Sequence, residues 1–189
     1  MKPYLVIVAG LPGTGKQTAA EKIVRSLDNY ILIDQNEERR KDGMVKMPIK
    51  QDKVMRRTDI MCAKDLLWNQ GVVVLAGHRQ VVRRSQLYGI ASCCGTNAVT
   101  LECVCSEEES KRRMKARPPS DGLLSKPRDP KVYNRIAPLW EDISLDFKYP
   151  GQDFVSYLRY NSETNNLDVR KLTRGMKGFV DRVEKIITS

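Results

Sequence analysis

Along the chain, short unbroken apolar runs alternate with longer stretches whose apolar residues fall three or four positions apart. The runs are Tyr4–Ala9, Tyr30–Ile33, Val72–Ala76, Ala98–Cys105 and Phe154–Tyr160. They are rich in Val, Ile and Leu and too short for helices, as expected of strands buried on both faces. Helical spacing covers Gly15–Leu27, Lys53–Gln70, Val81–Cys94, Glu107–Arg117, Pro130–Leu145 and a last stretch near Val169–Ile187. Gly71 and Gly95 punctuate helix ends before strands, and Ser106 with Glu109 has the spacing of a capping box. This alternation predicts an α/β fold: a five-stranded parallel sheet with helices on both faces. With no repeat, low-complexity tract or linker, residues 1–189 are read as one domain.

The first strand leads into Gly10-Leu11-Pro12-Gly13-Thr14-Gly15-Lys16-Gln17-Thr18 and then into a helix. Strand, glycine loop and helix, with a lysine closing the loop, is the pattern that cradles phosphates. Glycines let backbone N–H groups converge where side chains would block the approach, and the helix dipole and Lys16 add positive charge. Gly10, Gly13, Thr14, Gly15, Lys16, Gln17 and Thr18 are therefore the expected nucleotide-binding residues, for ATP or GTP with Mg²⁺. The residue after such a lysine is commonly a hydroxyl that ligates the metal. Gln17 is a poorer ligand, which leaves the metal to water and the nucleotide's oxygens, with Thr18 free to bond an α-phosphate oxygen. No residue is assigned as a metal ligand.

Composition narrows the partner. Formal net charge is +10, with basic clusters at 39–41, 46–57, 79–84 and 111–135. A polyanion, whether nucleotide phosphates or a nucleic-acid strand, is the expected ligand. No apolar run approaches the ~18 residues of a membrane span, and the first strand begins too early for a signal peptide. Five cysteines without a C-x-x-C pair point to reduced thiols in a cytoplasmic protein rather than to zinc. Cys103 and Cys105 alternate along an apolar strand as small core residues would.

Phosphoryl transfer needs clamped phosphates, neutralised charge and an aligned acceptor. After the second strand, Asp34-Gln35-Asn36-Glu37-Glu38-Arg39 lies at the carboxyl edge, where sheets of this type bind ligands. Asp34 is the candidate base there, with Glu37 next, and Arg39 could hold an acceptor phosphate. The alternative is a polar helix start capped by Asp34 or Asn36. The third strand leads to Ala76-Gly77-His78-Arg79, whose His78 and Arg79 are candidate substrate contacts. Arg113 and Arg117 share a helix face and are expected on the nucleotide, and Arg128 and Arg135 flank Pro130. Residues 111–135 are read as a mobile lid and 34–57 as the acceptor-binding segment. Arg83 and Arg84, with Arg39 and Arg79, are the expected contacts to a nucleic-acid strand.

From Tyr4 to about Trp140 the chain resembles the polynucleotide 5′-kinase and zeta-toxin-like group of P-loop kinases, a branch of the adenylate-kinase-like fold. The carriers are Gly10–Thr18, Leu32–Arg39, Gly71–Leu87, Val99–Arg117 and Asp129–Arg135. The resemblance implies a base position at Asn36, a substrate-binding arginine at Arg39 and a lid arginine at Arg135. It also implies an acidic position that Ala76 occupies here. Lys16, Asp34, Arg39 and Arg135 are thus the candidate catalytic residues, and Asn36, Arg39, His78 and Arg79 the candidate acceptor contacts. Three functions stay open: a kinase acting on a nucleic-acid end or nucleotide, a nucleoside monophosphate kinase, and a nucleotide-binding module that has lost catalysis.

Overall fold

The computed structural model describes residues 3–41, 51–75, 79–117, 128–148 and 151–189. Its sheet contains β1 (Leu5–Ala9), β2 (Tyr30–Asp34), β3 (Gly71–Leu75), β4 (Ala98–Val104), β5 (Val155–Asn161) and β6 (Asn166–Lys171). The order is β2-β3-β1-β4-β5-β6, parallel except for the β5–β6 hairpin. Central β1 is buried throughout, pairing through Ile7 with Val74 of β3 and Thr100 of β4. Buried on both faces, it has no polar alternation to show, and so reads as an unbroken apolar run.

Two helical layers cover the sheet. On one face, α1 (Lys16–Ser26) contributes Ala19, Ala20 and Ile23, and α7 (Lys177–Thr188) contributes Phe179, Val180, Val183 and Ile187, over Val6 and Val8. On the other, α3 (Gln51–Leu67) and α4 (Val81–Cys93) pack Cys62, Leu66, Leu87 and Tyr88 over Leu5 and Ile7. The short α2 (Gln35–Lys41), α5 (Glu107–Lys115) and α6 (Lys131–Ile136) follow β2, follow β4 and precede β5. Among the described residues no helix is long and apolar enough to cross a membrane.

The α/β architecture holds, and three expectations are corrected. The sheet has six strands, not five. Residues 166–171, partly assigned above to the last helix, form an edge strand in which only Leu167 is buried and Val169 is exposed, so its apolar pattern is too sparse to read. The helix expected over 130–145 breaks into α6 and two 3₁₀ turns, Ala137–Leu139 and Ile143–Lys148, with Pro138 in the first. Finally, α2 is a helix where the sequence left a polar segment undecided. Residues 42–50 and 118–127, which include most of the expected basic loop and the middle of the expected lid, lie outside the described residues.

Candidate active site

The glycine loop leaves β1 at the centre of the sheet's carboxyl edge and is braced by three other elements. Gly10 lies against the Cys103 carbonyl of β4, so a Cβ there would collide with backbone. Gly13 has φ +88°, and a Cβ would stand 2.5 Å from the Ser110 carbonyl of α5. Ser110 itself donates to the Pro12 carbonyl at 2.5 Å. Gly15 caps α1 in the left-handed region, φ 85°, with Ser162 of the β5–β6 turn against it. Only glycine meets both the steric and the dihedral demand at these two positions.

Inside the loop, Thr14 Oγ1 and Lys16 Nζ both donate to the Leu11 carbonyl, at 2.8 and 2.6 Å. Burial lowers Lys16 to about 8; the neighbouring Cys103 opposes the shift and the Arg117 cation adds to it. An anion in the loop would reverse the burial effect by giving the ammonium a partner. Gln17 is exposed, and its amide donates to Glu21 at 2.9 Å along the surface of α1. Thr18 is exposed as well.

Arg113 and Arg117 stand on the loop's flank. Arg113 donates to Glu109 at 2.5 Å, to Ser162 Oγ at 2.7 Å and to the Ser162 carbonyl at 3.0 Å, and its Nη1 lies beside Gly15. Arg117 is half-buried and its charge reaches Lys16. Ser106 caps α5 by accepting from the Glu109 amide at 3.2 Å. The reciprocal half of the expected capping box is replaced. Glu109 turns to Arg112 and Arg113, and the Ser106 amide donates to Glu163 at 2.8 Å.

At the end of β2, at the sheet's carboxyl edge, buried Asp34 accepts from the Asn36 amide at 2.8 Å and so caps the start of α2. Asn36 Oδ1 accepts from Arg39 at 3.1 Å. Burial lowers the pKa of the Arg39 guanidinium, and Asp34 partly restores it. Glu37 is exposed, whereas Glu38, which the sequence reading passed over, is buried between Lys41 at 2.5 Å and Arg57 of α3 at 3.6 Å. Ala76 and His78 lie outside the described residues; Arg79 is exposed, and its carbonyl accepts from the Glu141 amide at 2.9 Å.

A family model described as AAA domain, AAA_33, matches residues 5–129. The chain belongs to this family. A search of curated proteins returns no match. Among solved structures, the chain is similar to one in the Pnkp1/Rnl/Hen1 RNA repair complex, at 17% identity and TM-score 0.63 over 77% of this chain and 45% of that one. It is also similar to the Mycobacterium tuberculosis APS kinase CysC, in complex with AMPPNP and APS, at 15% identity and TM-score 0.57 over 100% and 99% of the two chains. Chaetomium thermophilum Kti12, in complex with ADP-AlF3, matches at 16% identity and TM-score 0.55 over 97% and 96%. The chain spans less than half the length of the RNA repair proteins it matches. These likenesses bear out the P-loop kinase fold.

Two features of this chain depart from the sequence reading. Arg84 is fully buried, with two bonds to Asp146 at 2.6 and 2.7 Å and one to the Glu141 carbonyl at 3.0 Å. Tyr88 donates to Asp146 at 2.7 Å. Arg84 therefore cannot touch a nucleic-acid strand, and the expected Arg83–Arg84 contact pair is corrected. The partner that makes the burial of Arg84 possible, Asp146, is remote in sequence, so the local pattern shows only a surface-like cation. Glu102 is the second feature. It lies beside Ala9 in register, accepts from Tyr157 at 2.5 Å and pairs with Arg159 at 3.4 Å. An acid in an apolar strand was the available signal. Arg135 sits exposed on α6, while buried Tyr133 anchors that helix under the Lys111 ammonium.

Proposed function

We propose that the chain is an ATP-dependent kinase that transfers the γ-phosphoryl group to a hydroxyl of a nucleic-acid end or a nucleotide. The observation that carries this reading is a glycine loop braced on three sides around Lys16, with Asp34 two strands along the same sheet edge and Arg39 on the helix that follows it. Backbone amides and Lys16 hold the β- and γ-phosphates, and Lys16 exchanges the Leu11 carbonyl for phosphate oxygen. Arg113 and Arg117 neutralise charge from the α5 side, and Arg135 would add to this from the lid. Arg39, aided by Asn36, Arg79 and His78, binds the acceptor's phosphate, and Asp34 takes the proton of the attacking hydroxyl.

The loop suits a triphosphate, since its glycines let the chain turn tightly against β4 and α5 with Lys16 at its end. For Mg²⁺ the protein offers less. Gln17 is engaged by Glu21, and among the described residues no three His, Cys, Asp or Glu side chains converge. The ion would be held through water and the nucleotide's own oxygens, neutralising negative charge when bound. GTP is the alternative donor, with Ser162 at the turn where a purine would lie. A nucleoside monophosphate kinase is the second reading, favoured by half-buried Arg39, which suits a single acceptor phosphate. Radiolabelled ATP offered with 5′-hydroxyl oligonucleotides, nucleoside monophosphates and sugars tests the proposal. Labelled oligonucleotide supports it, labelled diphosphate favours the second reading, and no transfer to any acceptor favours a non-catalytic module.

A further inference from the structure

The outer face of α3 is the feature that the reaction leaves unused. Lys53, Arg56, Ile60, Lys64 and Leu67 are exposed three or four residues apart, and Trp68 follows at the helix end. Residues so spaced share one helix face. Ile60, Leu67 and Trp68 are 68%, 69% and 75% exposed, which is unusual for large apolar side chains grouped together. The Lys64 ammonium lies 5.0 Å from the Trp68 ring centroid. Among the described residues, no exposed position of α3 is acidic; Asp59 and Asp65 are half-buried, and Asp59 feels the Arg83 charge of α4.

Where the face begins matters as much as what it carries. α3 starts at the sheet's carboxyl edge and is tied to α2 by Arg57 and Glu38, beside Asp34 and Arg39. It then runs back to the start of β3, covering about 22 Å between Lys53 and Trp68. Cations alternating with apolar and aromatic surface suit a strand that is anionic along its backbone and flat along its bases. A second copy of this chain fits poorly, because symmetric contact would oppose Lys53, Arg56 and Lys64 to their own equivalents.

We propose that this face is a track for single-stranded nucleic acid, leading the strand away from an acceptor end held at α2. Lys53, Arg56 and Lys64 meet phosphates, and Trp68 stacks on a base. The proposal rests on the nucleic-acid reading of the acceptor. It is tested by the affinity gained when a 3′-labelled, 5′-hydroxyl oligonucleotide is lengthened from three nucleotides to twelve. In the wild-type chain the longer strand binds more tightly. Trp68→Ala cuts that gain by about tenfold, the lower part of what base stacking on an aromatic is worth. Lys64→Ala reduces the log–log salt slope by about 0.7, one phosphate contact, whereas Lys177→Ala on α7 leaves it unchanged. All three side chains are exposed, so misfolding does not confound the comparison. If the longer strand is phosphorylated but both α3 variants keep the full gain, the track is overturned and the acceptor assignment stands. If neither oligonucleotide is bound or phosphorylated while a nucleoside monophosphate is, the acceptor assignment falls and takes the track with it. An acidic amphipathic peptide that perturbs Trp68 fluorescence where the oligonucleotide does not would overturn the track in favour of a protein partner.

Discussion

The loop around Lys16 and the strand edge around Asp34 lie on the same side of the sheet but are held in different ways. The loop is pinned largely by backbone: the Cys103 and Ser110 carbonyls press on Gly10 and Gly13, and the Ser162 side chain on Gly15. The strand edge is pinned by side chains, through Asp34 on the Asn36 amide, Asn36 on Arg39, and Glu38 between Lys41 and Arg57. Backbone contacts from β4 and α5 admit little adjustment. A seven-residue helix held by polar pairs can shift with its ligand. On the proposed function, rigidity at the first site would fix the triphosphate for transfer and tolerance at the second would admit different acceptors.

Lys16→Ala should break the contrast most severely. Transfer is lost, beyond the roughly 10²–10³-fold that one stabilising donor is worth, because the Lys16 ammonium is the charge held inside the loop, on the Leu11 carbonyl. Full turnover by this variant would remove the loop from the mechanism. Asp34→Asn should lower turnover by roughly 10²-fold or more, with nucleotide affinity nearly unchanged. If Asp34→Asn is silent and Glu37→Gln is inactive, the base moves to Glu37; if both are silent, this segment supplies none.

A smaller effect separates the two regions by pH. Lys16 titrates near 8 in the free protein, and bound phosphate raises that value. Nucleotide affinity should therefore hold below pH 8 and weaken above it, by at most about tenfold per unit, until the bound form also deprotonates. In the absence of nucleotide the sign is opposite. Lys16 is depressed from 10.5, so the unfolded chain binds more protons between about 8 and 10.5, and this lysine favours folding increasingly as pH rises there. Calorimetric titration of an ATP analogue from pH 7 to 10 checks the first sign, and a flat profile would deny Lys16 its phosphate contact. The smallest effect is expected from Glu38→Gln, which should cost about 1 kcal/mol of stability and raise the acceptor's KM while leaving that of ATP in place. Equal changes in both KM values would contradict the separate anchoring of the two sites.

Arg113 and Glu38 show how much of this was legible. Arg113 could be placed because it is local: one helix turn from Arg117, on a helix whose capping serine is evident. Glu38 could not, since its burial depends on Arg57, which belongs to the next helix. Arg84 failed for the same reason more sharply. Within 79–84 it looks like one more surface cation, and only Asp146, 62 residues later, makes its burial tolerable. The sixth strand escaped notice because an edge strand needs a paired backbone more than an apolar face.

By itself the sequence determined the five parallel strands with most of the helices between them, the parallel centre of the sheet and the phosphate-binding loop. All of these follow from apolar periodicity and from glycines, whose freedom is a property of single residues. The tertiary structure decided which charges are spent inside the fold and which remain for a ligand. It paired Arg84 with Asp146, set Glu102 against Tyr157 and Arg159, and brought Ser162 to Gly15 and Arg113. A charge tolerates burial only when a partner from another part of the chain arrives beside it, and that arrival depends on the packing of layers rather than on any local pattern.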